Sequence, residues 1–304
     1  MDVRPLDPAL GFGRMVVGLR AQDIRDPHIV RQLRDLWIDS GLIVFRDGQC
    51  NADFQVDLSR CFGELQVHSV AEMRHPDRQE LFVAKGGGDS ALFEVDGELL
   101  GGYIPWHSDQ VFTAETNHGG ILRVAHQPES GCNTGFVDQI GAYEALSDEM
   151  QERIDGLEVV YRMKPGTVTN FAFLPRQNIR LVRPHPFHAD LNAKIEAGGY
   201  PPVIHPLVFA QPETGRKVLN LSPMFADAIL GLDTDESDAL LRTLAFHLTD
   251  EDRAYDHAWM PGDMVLWDNW RMLHCARGVP NGAYREVHRT SIAGDYALGR
   301  VLDV

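Results

Sequence analysis

The chain has 304 residues, 44% of them hydrophobic, which is enough to bury a large core in one domain. Its formal net charge of -16 argues against binding to nucleic acid or to an anionic membrane, because both depend on excess lysine and arginine. No run approaches the roughly 20 apolar residues that a membrane helix needs, and no apolar stretch follows the first five residues, so we expect no membrane contact and a cytoplasmic location. The cysteines lack zinc-type or paired spacing and are predicted to be free thiols in a reducing compartment: Cys50, Cys61, Cys132 and Cys275.

Apolar periodicity predicts few helices and many short strands. The predicted helices cover residues 23–39, a segment capped by Asn51 that ends at Gly63, a segment from about 140 into 149–153, and residues around 235–248. The predicted strands cover residues 42–45, 81–84, 121–124, 157–160, 207–209, 218–221, 257–259 and 264–267. Short strands separated by turn signals favour a sandwich or jelly roll over a parallel alternating sheet. We therefore expect one domain over residues 1–304.

Two distant stretches supply a candidate metal site. His107 and Asp109 lie two residues apart, so on an extended strand both side chains point to one face. A further imidazole, His274, follows the apolar run 264–267. Two imidazoles and one carboxylate are the ligand set of a non-haem Fe(II) oxygenase, and they leave positions open for a co-substrate and O2. The chain contains a second His-x-Asp pair, at His188, which lacks accompanying motifs.

Two arginines near the end of the chain have the spacing of one strand face. If residues 284–295 are extended, Arg285, Val287 and Arg289 point to the same side. An unpaired buried charge is very costly, so guanidinium groups that point inward need anionic partners. The pattern therefore predicts that anions bind near this strand.

With these motifs in order, the chain resembles the Fe(II)- and 2-oxoglutarate-dependent dioxygenases typified by taurine dioxygenase and 2,4-dichlorophenoxyacetate dioxygenase. The resemblance implies an α+β, mainly β fold, with a double-stranded β-helix core of the jelly-roll or cupin-like type and flanking helices. It is carried by residues 62–65, 106–109, 131–135, 142–146, 205–208, 212–216, 267–269, His274 and 285–295.

The resemblance also implies a role for individual residues. His107, Asp109 and His274 would bind Fe(II). Thr134 and Arg285 would hold the distal carboxylate of 2-oxoglutarate, the arginine through a bidentate pair.

A further group of residues would contact the prime substrate in this family. Arg289, assisted by His68, would hold its acidic group. Ala71 stands where the taurine enzyme has a tyrosine, and Tyr103 stands at the position of a pocket asparagine. Taurine itself is therefore not the expected substrate, and we expect an acid that is larger or more apolar.

The expected reaction couples oxidative decarboxylation of 2-oxoglutarate, to succinate and CO2, to hydroxylation of a small anionic substrate with O2 as co-substrate. A carboxylate, a sulfonate or a sulfate ester would fit Arg289. Desaturation, cyclisation or carbon–heteroatom cleavage would use the same residues. Because Asp109 is present, the halide-binding variant of such sites, which lacks the carboxylate ligand, is disfavoured.

Residues 162–204 form a basic, proline-rich segment that we interpret as an active-site lid or insertion. Long irregular segments inside compact domains are usually lids or binding loops, although a solvated surface loop is the simpler alternative. The apolar residues that suggest a lid are Phe171, Phe173, Leu174 and Phe187.

Two rival functions use the same residues differently. A zinc hydrolase could use two histidines and one aspartate with a metal-bound water, but it would not require Arg285 to point inward. A non-catalytic binding protein on the same fold is the second rival, because fold does not imply function. Whether the chain forms a homo-oligomer is left open by the sequence.

Overall fold

The computed structural model describes residues 1–68, 73–128, 131–163, 173, 178–186, 188–296 and 298–302. The helices are α1 (Pro27–Ser40), α2 (Ala52–Arg60), α3 (Gln139–Glu144), α4 (Asp148–Ile154), α5 (His188–Glu196) and α6 (Thr234–Leu248). The strands are β1 (Asp2–Pro5), β2 (Arg14–Val17), β3 (Leu42–Arg46), β4 (Leu65–Gln66), β5 (Arg74–His75), β6 (Arg78–Gly86), β7 (Leu92–Val95), β8 (Glu98–Gly101), β9 (Ile104–His107), β10 (Gly119–His126), β11 (Thr134–Asp138), β12 (Glu158–Tyr161), β13 (Ile179–Arg183), β14 (Val203–Pro206), β15 (Val208–Ala210), β16 (Lys217–Leu219), β17 (Ala226–Ile229), β18 (Ala254–His257), β19 (Met264–Asp268), β20 (Met272–Ala276), β21 (Val279–Pro280), β22 (Arg285–Ile292) and β23 (Arg300–Val301).

Two of the sheets that the structure describes carry most of the candidate site residues. A nine-stranded sheet has the order β1-β2-β3-β19-β10-β22-β6-β5, with β4 paired to β22. A four-stranded sheet has the order β18-β11-β20-β9. Val44 and Trp267 of the large sheet share one buried cluster with Phe136 and Met272 of the small sheet, so the two sheets pack face to face. The fold is therefore mainly β, as the strand pattern predicted.

The front helices cover the other face of the large sheet. Asp26 caps α1 by accepting a hydrogen bond from the His28 amide, and Gly41 ends the helix with a φ of 71°, a left-handed conformation that favours glycine. Leu33 and Trp37 of α1 pack in one buried cluster with Phe54 and other residues of α2 and the sheet. Burial of this apolar stripe fixes α1 and α2 against the large sheet.

The structure corrects two predicted elements. The helix expected from about 140 to 153 is two helices, because Ser147 caps α4 by accepting from the Met150 amide and so starts a new helix. The strand expected at 257–259 ends at His257, and Trp259 lies in the following loop. By contrast, the helix predicted around 235–248 matches α6, whose leucines are buried.

The segment interpreted as a lid contains regular structure where it is described. It includes β13, α5 and the start of β14, and the side chain of Phe173 is buried in the largest apolar cluster. Residues 164–172, 174–177 and 187 lie outside the described residues. Among the helices that are described, none has both the length and the apolar character required to span a bilayer.

Candidate active site

The three predicted metal ligands converge at the edge of the small sheet. His107 is the last residue of β9 and lies directly opposite His274 of β20 in the antiparallel pairing. Their ring centroids are 4.2 Å apart. His107 Nε2 lies 3.6 Å from Asp109 Oδ1, and His274 Nε2 lies 4.0 Å from Asp109 Oδ2. One donor atom from each residue lies within 4.8 Å of the others, a spacing that one metal ion can bridge.

Asp109 reaches this cluster through a clamp rather than through strand alternation, because β9 ends at His107. The side-chain amide of Asn269 makes both bonds of the clamp. Its Oδ1 accepts from the backbone N–H of Asp109 at 2.7 Å, and its Nδ2 donates to the backbone carbonyl of Asp109 at 3.0 Å. Asn269 also donates to the carbonyl of Asn117 at 3.1 Å, so the ligand loop is fixed to a second loop. Asn269 belongs to the 267–269 motif, but no feature of the sequence indicated this role.

The protonation states suit a cation. His107 Nδ1 lies 2.8 Å from the carbonyl of Pro105, so Nδ1 carries the hydrogen and Nε2 presents its lone pair to the cluster. Burial lowers the pKa of His274 to about 3. Burial by itself would raise the pKa of Asp109, yet the charge of Arg289 holds it well below its ordinary value. At neutral pH the cluster therefore offers a neutral imidazole at His274 and a carboxylate at Asp109, and Nε2 of His107 faces that carboxylate.

Arg285 and Thr134 lie together, and Thr134 pairs across β11 and β20 with Ala276, two residues after His274. Arg285 Nη2 is 3.5 Å from Thr134 Oγ1, and the whole arginine is 7% exposed. Its Nε has no hydrogen-bond partner among the described residues, and no carboxylate in the described part of the chain forms an ion pair with it. Burial lowers the pKa of Arg285 below its ordinary value. A buried cation without an acid is suited to binding an anion from outside the chain.

Arg289 and His68 both contact the ring of Phe82. The guanidinium of Arg289 lies 5.1 Å from the ring centroid of Phe82, within the range of a cation–π interaction. The ring of His68 lies 4.6 Å from the same ring. Arg289 also donates from Nη1 to Asp109 Oδ2 at 2.7 Å. The two residues that were expected to bind the substrate anion therefore lie on one aromatic side chain, which the sequence analysis did not single out.

Tyr103 and Ala71 are the other two residues that were expected to shape the substrate pocket. Tyr103 is 7% exposed and packs in a small apolar cluster with Phe93 and Val95, at a ring-centroid distance of 6.1 Å from Phe93. Burial raises the pKa of its hydroxyl. Ala71, which was expected to widen the pocket, lies outside the described residues.

The model of the taurine catabolism dioxygenase TauD, TfdA family matches residues 2–291 of the chain. The chain belongs to this family. The resemblance that the sequence motifs indicated is thereby confirmed, and this TauD/TfdA protein is an enzyme of the 2-oxoglutarate-dependent dioxygenase class.

Two curated relatives of this TauD/TfdA protein match it over nearly its full length; their names use alpha-ketoglutarate, a synonym of 2-oxoglutarate. The (S)-phenoxypropionate/alpha-ketoglutarate-dioxygenase of Sphingobium herbicidovorans is 31% identical, over 97% of this chain and 96% of the relative. The alpha-ketoglutarate-dependent 2,4-dichlorophenoxyacetate dioxygenase of Cupriavidus pinatubonensis is 29% identical, over 96% of this chain and 97% of the relative. The crystal structure of a taurine dioxygenase from Burkholderia xenovorans has a TM-score of 0.73 at 24% identity, over 100% of this chain and 96% of that one, which supports a shared fold.

Proposed function

We propose that His107, Asp109 and His274 bind Fe(II), and that the protein uses it to oxidise a small anionic substrate at the expense of 2-oxoglutarate and O2. The observation that carries the proposal is the convergence of three donor atoms within 4.8 Å beside a buried arginine that has no acid partner. A zinc hydrolase would need the first feature and not the second. Fe(II), when bound, supplies the oxidative decarboxylation of 2-oxoglutarate to succinate and CO2 and the oxidation of the substrate.

The donor set fits this metal. Two imidazoles and one carboxylate suit a non-haem Fe(II) site and leave coordination positions for ligands that are not protein. The hydrogen bond from His107 to the Pro105 carbonyl fixes the ring orientation of one ligand, and Asn269 fixes the peptide of the carboxylate ligand. Outer contacts of this kind hold metal ligands in register.

Arg285 and Thr134 would hold the distal carboxylate of 2-oxoglutarate. A guanidinium forms two parallel hydrogen bonds to a carboxylate, and the threonine hydroxyl adds a third donor. Because Arg285 is almost fully buried, this pair would exclude water from the carboxylate and give the co-substrate one orientation.

The prime substrate is proposed to be a carboxylate, a sulfonate or a sulfate ester, held by Arg289 with assistance from His68. The shared contact of these two residues with Phe82 supports a common anion site. The names of the two relatives, which specify phenoxypropionate and 2,4-dichlorophenoxyacetate, support an acid with an apolar body. Tyr103 would line the same pocket. We expect hydroxylation, while desaturation, cyclisation or carbon–heteroatom cleavage would need the same residues.

We propose that the two face-to-face sheets form a double-stranded β-helix, that residues 1–304 form one domain, and that 162–204 acts as a lid. A cytoplasmic location agrees with four cysteines that form no disulfide.

The test begins without a substrate. Anaerobic addition of Fe(II) and 2-oxoglutarate should give the visible charge-transfer band of an iron-bound keto acid, whereas Zn(II) in place of Fe(II) should give none. Aerobic reactions are then run with a panel of phenoxyalkanoates, alkylsulfonates and alkyl sulfates, with succinate release as the readout. An anionic substrate should raise succinate release above the slow uncoupled rate. If no band forms and no succinate appears with any compound, the proposal is wrong.

A further inference from the structure

The hydroxyl of Thr134 is surrounded by groups that can only donate hydrogen bonds. Trp259 Nε1 donates to Thr134 Oγ1 at 3.1 Å, and both residues are buried. Arg285 Nη2 lies 3.5 Å from the same oxygen. An indole N–H and a guanidinium have no acceptor capacity, so the oxygen of Thr134 must be the acceptor in both contacts.

The two contacts determine where the hydrogen of the Thr134 hydroxyl can point. A hydroxyl has one hydrogen and two acceptor lone pairs, and here both lone pairs face donors. The hydrogen of Thr134 must therefore point to a third group. No acceptor for it is present among the residues that the structure describes. The threonine is thus presented as a donor, next to a buried guanidinium that also lacks an anionic partner.

We propose that Trp259 is a positioning residue, which fixes the Thr134 hydroxyl as a donor to the distal carboxylate of 2-oxoglutarate. This inference rests on the proposed function of Thr134 and Arg285. Trp259 does not contact the co-substrate itself. Its N–H removes the alternative in which the hydroxyl rotates toward the protein, so the hydroxyl is oriented before 2-oxoglutarate binds.

The surroundings of Trp259 hold its indole in one orientation. Thr134 of β11 pairs with His257 of β18, two residues before the tryptophan. The rings of His257 and Trp259 meet edge to face, with centroids 4.7 Å apart and planes at 83°. Gln127 Nε2 donates to the carbonyl of Trp259 at 2.8 Å, and the tryptophan is 4% exposed. The ring contact with His257, the hydrogen bond at the backbone carbonyl and the burial of the residue restrict Trp259, so its indole can orient Thr134 without moving.

The test compares two keto acids on the Fe(II)-loaded protein. The dissociation constants of 2-oxoglutarate and 2-oxobutanoate are measured anaerobically through the visible band; 2-oxobutanoate keeps the chelating group and lacks the distal carboxylate. Trp259→Phe should raise the constant for 2-oxoglutarate about 3- to 10-fold, the value expected for one hydrogen bond. The constant for 2-oxobutanoate should not change. A residue that only stabilises the fold would alter both constants alike.

A double-mutant cycle with Thr134→Val isolates the contact. In the Thr134→Val background, Trp259→Phe should cause no further loss of 2-oxoglutarate affinity, because no hydroxyl remains to be oriented. Thr134→Ser should bind 2-oxoglutarate like the wild type. Benzothienylalanine at position 259, which replaces the indole N–H by sulfur, gives the same test with the ring size retained.

Trp270 provides a matched control, since its Nε1 donates to Thr116 Oγ1 at 2.9 Å in a similar tryptophan–threonine pair. Trp270→Phe should leave the ratio of the two dissociation constants unchanged. Equal affinity of the wild type and Trp259→Phe for 2-oxoglutarate would overturn the inference, as would an equal loss in both Thr134 backgrounds. A wild-type protein that binds 2-oxobutanoate but not 2-oxoglutarate, or neither, would instead overturn the proposed co-substrate site.

Discussion

Arg289 donates from Nη1 to Oδ2 of Asp109 at 2.7 Å, so the expected substrate anchor lies against the expected iron ligand. The side chain of Arg289 is 19% exposed and that of Asp109 is 13% exposed. The Nε of Arg289 is buried and has no hydrogen-bond partner among the described residues. One side of the guanidinium therefore serves the carboxylate ligand while the other side remains available to an anion. This arrangement would link the proposed substrate site to the proposed metal site through one residue.

Replacing Arg285 and replacing Arg289 should have different kinetic effects. Arg285→Ala should weaken the binding of 2-oxoglutarate by about 2–5 kcal/mol, because a buried charged pair loses one partner. It should also suppress both coupled and uncoupled decarboxylation. Arg289→Ala should leave uncoupled decarboxylation largely intact and raise the apparent KM of the acidic substrate. Succinate release is measured at varied 2-oxoglutarate, with and without the best substrate of the panel.

Arg289→Lys serves as the control for that comparison, since it keeps the charge and loses the planar fork. Its KM for the anionic substrate should lie between those of the wild type and Arg289→Ala. Equal losses of 2-oxoglutarate affinity in the two alanine variants, or unchanged substrate kinetics in Arg289→Ala, would remove Arg289 from the substrate site. The contact with Asp109 would then be its whole function.

The metal ligands give a second prediction. His107→Ala, Asp109→Ala and His274→Ala should each lose bound iron and turnover, because each removes one of three converging donors. His188→Ala is the control. His188 belongs to the other His-x-Asp pair and starts α5, where its Nδ1 accepts from the His185 amide at 3.0 Å. Iron content after gel filtration should stay near the wild-type value in the His188 variant, and the reverse pattern would show that the triad is misassigned.

Asn269 should matter for the metal although it does not contact it. Asn269→Leu removes the clamp on Asp109 and leaves buried backbone groups without partners, which should cost roughly 1–3 kcal/mol of folding stability. Loss of an outer contact of a ligand typically weakens metal affinity or activity by about 10- to 100-fold. Iron titration and urea unfolding measure the two effects. Asn269→Asp, which can keep the Oδ1 acceptor, should retain tighter iron binding than Asn269→Leu, and equal iron affinity in all three proteins would contradict the clamp.

The buried carboxyl group of Asp268 should make the folding stability depend on pH, independently of the reaction. Burial raises its pKa to about 7, although the charge of Arg271 opposes the shift. Burial also lowers the pKa of His118 to about 3, so that histidine, 3.8 Å from Asp268, is neutral and contributes no charge. Because the folded-state pKa lies above the unfolded value of about 3.9, the folded state binds the proton more tightly. The resulting stability is complete below about pH 4 and is lost as the pH rises through 7.

Asp268→Asn should remove this dependence. Between pH 5 and pH 8, the free energy of unfolding should shift in favour of the variant by roughly 2–3 kcal/mol relative to the wild type. Urea unfolding of both proteins at the two pH values measures the shift. Parallel pH profiles for the two proteins would mean that Asp268 is charged in the folded state throughout this range.

The residues of the site could be selected from local sequence, because the chemistry of each motif is contained in a few neighbouring positions. His107 and Asp109 are two residues apart, and Arg285 and Arg289 share the spacing of one strand face. The helix around 235–248 was also predictable, since its apolar stripe is set by local periodicity. The break between α3 and α4 was missed because one capping serine outweighed the apolar pattern across it.

The contacts that make these residues a site depend on pairing between distant strands. His274 meets His107 because β20 and β9 align them directly opposite each other, a register that no local pattern specifies. The clamp of Asn269 on Asp109 joins residues 160 positions apart, and the contact of Trp259 with Thr134 joins residues 125 positions apart. Such contacts form only when burial of the core brings two sheets together, and side-chain hydrogen bonds then select one geometry. Short sequence motifs therefore predict the residues with the required chemistry. The residues that orient them can be identified only from the packing of the two sheets.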